Sequence, residues 1–213
     1  MTRITLRSAA VIGVLAATTA LSGCAALLVG GAVVGGSLIA TDRRSSGTQL
    51  DDQRIESRAN SRVRELLGDR GHVNVTSYSR LVLLSGEVPS EADRTSIEQA
   101  VARVDSVKSV VNELAVMTAS SLSNRSNDAL VTSKVKATLV DAGDISANAF
   151  KVVTERGTVY LMGRVTEREA DRASDLSRSI SGVQKVVKVV EIVTDAELAE
   201  IDPKAVPKSA AAK

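Results

Sequence analysis

The chain has 213 residues, with 27 lysines and arginines against 25 aspartates and glutamates, one histidine, one cysteine and three aromatic side chains. A lone cysteine excludes an intramolecular disulfide framework. Near-neutral charge and scarce aromatics argue against a nucleic-acid partner, which needs cations for phosphates and rings for stacking.

The chain opens with Arg3 and Arg7 ahead of an apolar run from Ala9 to Ala20, a run too short to cross a bilayer by itself. Leu21, Ser22, Gly23 and Cys24 follow, and this resembles the lipobox of bacterial lipoproteins. The resemblance implies cleavage before Cys24, a diacylglyceryl thioether on its sulfur and a further acyl chain on its freed amine. Residues 1–23 then form a signal peptide. Losing Arg3 and Arg7 leaves 25 basic residues against 25 acidic ones. Two or more acyl chains hold a protein firmly at a membrane, each methylene contributing about 0.8 kcal/mol. Ala25 and Ala26 after the cysteine imply, by the same resemblance, sorting to the outer membrane. A second reading makes the apolar stretch through Ala40 one membrane-spanning helix. Gly30, Gly31, Gly35 and Gly36 weigh against it. Residues 24–50 are read as a lipidated, glycine-rich linker.

From Asp51 the chain carries two copies of one unit, 51–116 and 127–194. "LVLLSGEVPSEADR" from Leu81 matches "TVYLMGRVTEREADR" from Thr158. In the first copy Ile55, Ala59, Val63 and Leu66 recur at helical spacing, and strands follow at His72 to Tyr78 and Leu81 to Val88. An amphipathic helix over Glu91 to Val104 leads to a β-branched strand from Val107. Met117 to Ser126 is serine-rich and aperiodic, a linker. The second copy repeats the order: a helix on Val131, Val135 and Leu139, strands at Phe150 to Thr154 and Thr158 to Val165, a helix over Glu167 to Ile180, and a strand from Val186. Asp52 and Asp128 are placed in the first turns of their helices, where an anion suits the dipole. The fold class is α+β: two tandem αββαβ domains, each a three-stranded mixed sheet covered by two helices. Residues 195–213 read as a disordered basic tail.

The motifs "GTQLDD" at Gly47, "NVTSY" at Asn74, "VLLSGEV" at Val82, "ND" at Asn127, "TSKVKATL" at Thr132, "VYLMGRVTEREA" at Val159 and "SGVQKVVKVV" at Ser181 resemble the BON-domain family, here in tandem. The resemblance implies a non-enzymatic lipoprotein of the outer membrane that faces the periplasm, binds anionic phospholipid through its second domain and supports envelope integrity, including at the division site. The alternative is a tethered interaction module or chaperone for outer-membrane, cell-wall or division proteins.

Catalytic and metal residues are expected to be absent, and no cofactor is expected beyond the covalent lipid on Cys24. His72 has no second histidine or cysteine at ligand spacing. The acids of "TEREADRASD" alternate with Arg168 and Arg172 and read as a solvated, ion-paired helix face. Gly86 and Gly163 read as a strand bend or close packing. The lipid-contact candidates lie on the first helix of the second copy. Leu130, Lys134 and Ala137 form a flank and Lys136 and Val140 point away, so that an apolar tip meets the acyl boundary and a cation meets phosphate. The competing reading packs Leu130 on the other domain and leaves Lys134 solvated. The resemblance adds that relatives carry tryptophan where Leu130 stands. Arg54, Arg58 and Arg62 make a second basic stripe, on the first copy.

Overall fold

In a computed structural model, residues 42–202 are described and belong to one compact unit, Asp42–Lys213. Cys24, the glycine-rich stretch and the end of the tail lie outside the described residues. The first repeat comprises α1 (Ser46–Leu67), β1 (His72–Tyr78), β2 (Leu81–Val88), α2 (Glu91–Ala102) and β3 (Ser109–Val116). The second comprises α3 (Leu122–Ala142), a short 3-10 turn (Ala147–Ala149), β4 (Phe150–Glu155), β5 (Thr158–Val165), α4 (Glu167–Arg178) and β6 (Lys185–Ile192). A last helix, α5 (Asp195–Ile201), occupies the start of the segment expected to be disordered. Thr194 and Glu197 form a capping box that nucleates it, and Leu198 is buried.

Each sheet has its second strand in the middle, antiparallel to the first through a hairpin and parallel to the third through the crossover helix. Alternation along β2 and β5 sends Val82, Leu84 and Val88, and likewise Val159, Leu161 and Val165, toward the helices of their own repeat. The opposite faces carry Tyr78 and Leu83 from one repeat and Tyr160, Met162 and Val189 from the other, packed into a third cluster between the two sheets. The layers therefore run helices, sheet, sheet, helices, and the helical faces of the two repeats look in opposite directions.

Both long helices begin earlier than their apolar periodicity. Ser45 caps α1 and Ser121 caps α3, each accepting a backbone N–H, so α3 begins inside the serine-rich stretch. Asp52 and Asp128 thus sit well inside their helices rather than in the first turns, and both are buried. They bind the hairpins. Asp52 accepts the N–H groups of Ser79 and Arg80, and Asp128 those of Arg156 and Gly157 at 2.8 and 2.9 Å. Ser79, Arg80 and Arg156 have positive φ, a conformation these carboxylates hold in place. Leu66, expected in the core, is 44% exposed, and the buried residue of that turn is Leu67. A Cβ on Gly86 would stand 2.1 Å from the His72 carbonyl oxygen, and one on Gly163 2.4 Å from that of Ala149. Close backbone approach, once per repeat, requires the glycine.

Candidate membrane-contact site

On α3, burial of Asp128, Val131, Val135 and Leu139 fixes which side of the helix faces outward. The outward side carries Leu122, Leu130 and Val140 at 79, 62 and 65% exposure, with Ala129 and Ala137 exposed between them. Leu130 therefore does not pack on the other domain. Ser126 and Ser133 share this side, and each donates its hydroxyl back to a helix carbonyl, of Leu122 at 2.9 Å and of Ala129 at 3.0 Å. Their polarity is spent within the helix, which leaves an outward strip with few groups seeking water.

Lys134 and Lys136 are exposed, and among the described residues neither side chain makes a hydrogen bond or ion pair. By helical spacing they border the apolar strip on opposite sides. The flank of Leu130, Lys134 and Ala137 is thus one half of a wider face that also takes in Lys136 and Val140. That face suits an interfacial helix, with aliphatic groups centred and ammonium groups at the margins. Asp141 is exposed at its C-terminal end.

The face is presented by a body tied together at several points. Arg43 is fully buried and donates both terminal nitrogens to Glu169 at 2.8 and 2.9 Å, its Nη1 also to the Arg164 carbonyl at 3.1 Å, and its Nε to Asp202 at 3.2 Å. Arg44 bonds Asp42 and Asp52 and stacks over the Tyr78 ring at 4.2 Å. Residues 42–44 therefore join the two repeats. Lys151 of β4 donates to Glu56 and to the Ser77 carbonyl, Asn74 donates to Glu155 at 2.8 Å, and the Tyr78 hydroxyl donates to the Ala149 carbonyl. Burial pushes the Tyr78 and Tyr160 phenols up to about 12, so both stay neutral.

Glu169 departs from the solvated face expected of it. It is buried, forms a capping box with Thr166 and takes Arg43. Arg168 and Arg172 turn instead to the Asp144 carbonyl and carboxylate. Burial alone would raise the Glu169 carboxyl, but the Arg43 guanidinium and the Thr166 backbone overrule it and hold it below the usual carboxylate range. Glu155 goes the other way. Burial lifts it most, the Glu87 and Asp128 carboxylates add to that, and Asn74 only partly offsets them.

His72 lies beside Asn74 in an open cleft of 320 Å³ at the seam, together with Arg125, Thr132 and Glu155. Burial and the nearby Arg125 lower its pKa, so it is neutral at pH 7. Among the described residues no group of three or more histidines, cysteines, aspartates or glutamates is arranged to hold a metal, and no helix is long and apolar enough to cross a membrane.

Comparison with sequence families matches the BON domain to residues 51–118 and 127–194. The chain is 38% identical over 177 residues to outer membrane lipoprotein DolP of Haemophilus influenzae, covering 82% of this chain and 91% of that protein. It is 32% identical over 154 residues to a 21 kDa hemolysin of Actinobacillus pleuropneumoniae, covering 71% and 79%. With osmotically-inducible protein Y of Escherichia coli it shares 27% identity over 181 residues, covering 76% and 90%.

Proposed function

This chain belongs to the BON-domain family, and on that footing we propose that it is a non-enzymatic outer-membrane lipoprotein that binds anionic phospholipid through its second domain. Acyl and diacylglyceryl groups on Cys24 supply the anchor. The two domains face the periplasm and support envelope integrity, including at the division site. Likeness to a relative named as an outer membrane lipoprotein supports the anchor and its location.

The observation that carries the lipid reading is the outward strip of α3, where Leu122, Leu130 and Val140 are more than half exposed between two lysines without partners among the described residues. An exposed apolar strip costs solvation unless something covers it, and a bilayer boundary covers leucine while its phosphates meet the lysines. Roughly 1 kcal/mol per lysine near an anionic surface makes the contact selective for lipid charge.

Co-sedimentation with vesicles tests this, using residues 42–213 so that Arg43 and Arg44 are retained. Pelleting with anionic but not zwitterionic vesicles is expected, and loss of pelleting in Leu130→Asp with Lys134→Glu. Equal pelleting of both proteins would remove α3 from the account.

A further inference from the structure

Aligned on Asp52 and Asp128, the two repeats place Arg54 where the second has Leu130, Arg58 where it has Lys134, Ser61 where it has Ala137, and Arg64 where it has Val140. The same outward helix side that is aliphatic in one copy is arginine-rich in the other. Beside it, between α1 and the end of α2, lies a groove of 760 Å³ lined by Arg58, Arg62 and Arg103 together with Glu65, Asp105 and Leu66, three cations against two anions. We propose that this groove is a docking site for an acidic segment of a partner protein. The proposal does not rest on the lipid reading of α3.

The groove already displays the chemistry it would use. Arg58 binds Asp105, and Arg62 binds Glu65 at 3.2 Å, so two guanidinium groups already hold carboxylates within the groove, and the third, on Arg103, supplies its net positive charge. These pairs are exposed and therefore exchangeable. Arg103 is exposed and, among the described residues, has no ion pair or side-chain hydrogen bond. Planar guanidinium groups match carboxylates in a fork geometry that the lysines of α3 lack. The volume exceeds what one phosphate fills and suits several side chains together. Leu66, 44% exposed, offers an apolar contact at the edge, as protein interfaces require and a free anion does not.

Position separates the two sites. The clusters under α1 and α2 and under α3 and α4 lie on the outer sides of two sheets that face each other. A bilayer lying on α3 therefore leaves the groove open on the far side. The duplicated unit presents one face to lipid and the other to protein.

The test uses the full lipidated chain in neutral detergent and a short fluorescent peptide of alternating glutamate and leucine, read by anisotropy at low salt. Parallel titrations with inorganic tripolyphosphate and with anionic phospholipid carried in the same micelles distinguish the kind of anion. The wild type is expected to bind the peptide. Arg103→Glu, which breaks no internal pair, is expected to weaken it about tenfold, as is Arg58→Glu with Arg62→Glu, while Leu130→Asp with Lys134→Glu leaves it unchanged. Three results would overturn the proposal: no peptide binding, peptide binding indifferent to Arg103→Glu, or tripolyphosphate or micellar anionic phospholipid taking the peptide's place as the ligand lost on Arg103→Glu. Thermal melting of each variant excludes unfolding as the cause.

Discussion

Arg43 grips Glu169 with both terminal nitrogens across 126 residues of sequence, and both side chains are essentially out of solvent. Residues 42–44, just before the first domain, are thereby fastened to the second.

Removing one partner of such a pair strands the other's charge, which typically costs about 3–5 kcal/mol. Arg43→Ala is expected to destabilise residues 42–213 by that order in urea unfolding. Because Glu169 is held below its ordinary 4.5, the stability it contributes is complete above that value and is lost as pH falls through the lowered one. The gap between wild type and Arg43→Ala should therefore narrow in acid. A constant gap between pH 7 and pH 3 would show that packing, rather than charge, dominates.

Glu155 predicts the opposite slope. Its carboxyl titrates above 4.5 in the folded protein, so between the unfolded and folded values stability falls as pH rises. Glu155→Gln keeps an oxygen for the Asn74 amide and removes the charge. It should melt at or above the wild-type temperature at pH 7 and show a weaker acid-side gain. A marked drop in melting temperature would mean that the ionised form is favoured by contacts other than Asn74.

Gly86 combines a positive φ of 114° with a Cβ site 2.1 Å from a backbone oxygen. Gly86→Ala is expected to cost about 1–3 kcal/mol, because strands must part to admit the methyl. The same change at Gly47, where the nearest atom is a serine side chain at 3.8 Å, should be close to neutral or mildly stabilising.

Much of this architecture was legible because each strand carries its own pattern. Val82 and Leu84 alternate with Leu81 and Leu83, and Ile97 with Val101 keeps helical spacing. The unbroken apolar runs "LVLL" and "VYLM" also held a sign that β2 and β5 are covered on both sides, and the second cover is the other repeat. What escaped is long-range and polar. Nothing near Arg43 in sequence points to Glu169 or Asp202, and a charged run such as "TEREADR" looks solvated until a distant arginine fills it. The spacing Thr166 to Glu169 was the one local signal that this glutamate turns inward as a cap. On the outward side of α3, the exposure of Leu130, Lys134, Lys136 and Ala137 was legible from periodicity. The contributions of Ser126 and Ser133 were not, since only geometry reveals that their hydroxyls turn back to the helix.

Asp141 stands exposed at the C-terminal end of that face, where its charge opposes both the helix dipole and an anionic surface. Asp141→Asn should strengthen anionic-vesicle binding by a few-fold, roughly the 1 kcal/mol of one surface charge. Leu130→Trp should strengthen it as well, through the interfacial preference of the indole. Weaker binding by either variant would argue that the face contacts something other than lipid.

Cys24 is the chain's single cysteine, so residues 42–213 have none and accept one spin label at a chosen place. The measurement that bears most directly on the account is the depth of a nitroxide at Ala137→Cys and at Arg103→Cys, with the protein bound to anionic vesicles. The account predicts that the label at 137 lies at the headgroup and acyl boundary while the label at 103 stays in water. A label at 137 that remains fully aqueous in bound protein, or one at 103 that is immersed, would contradict it.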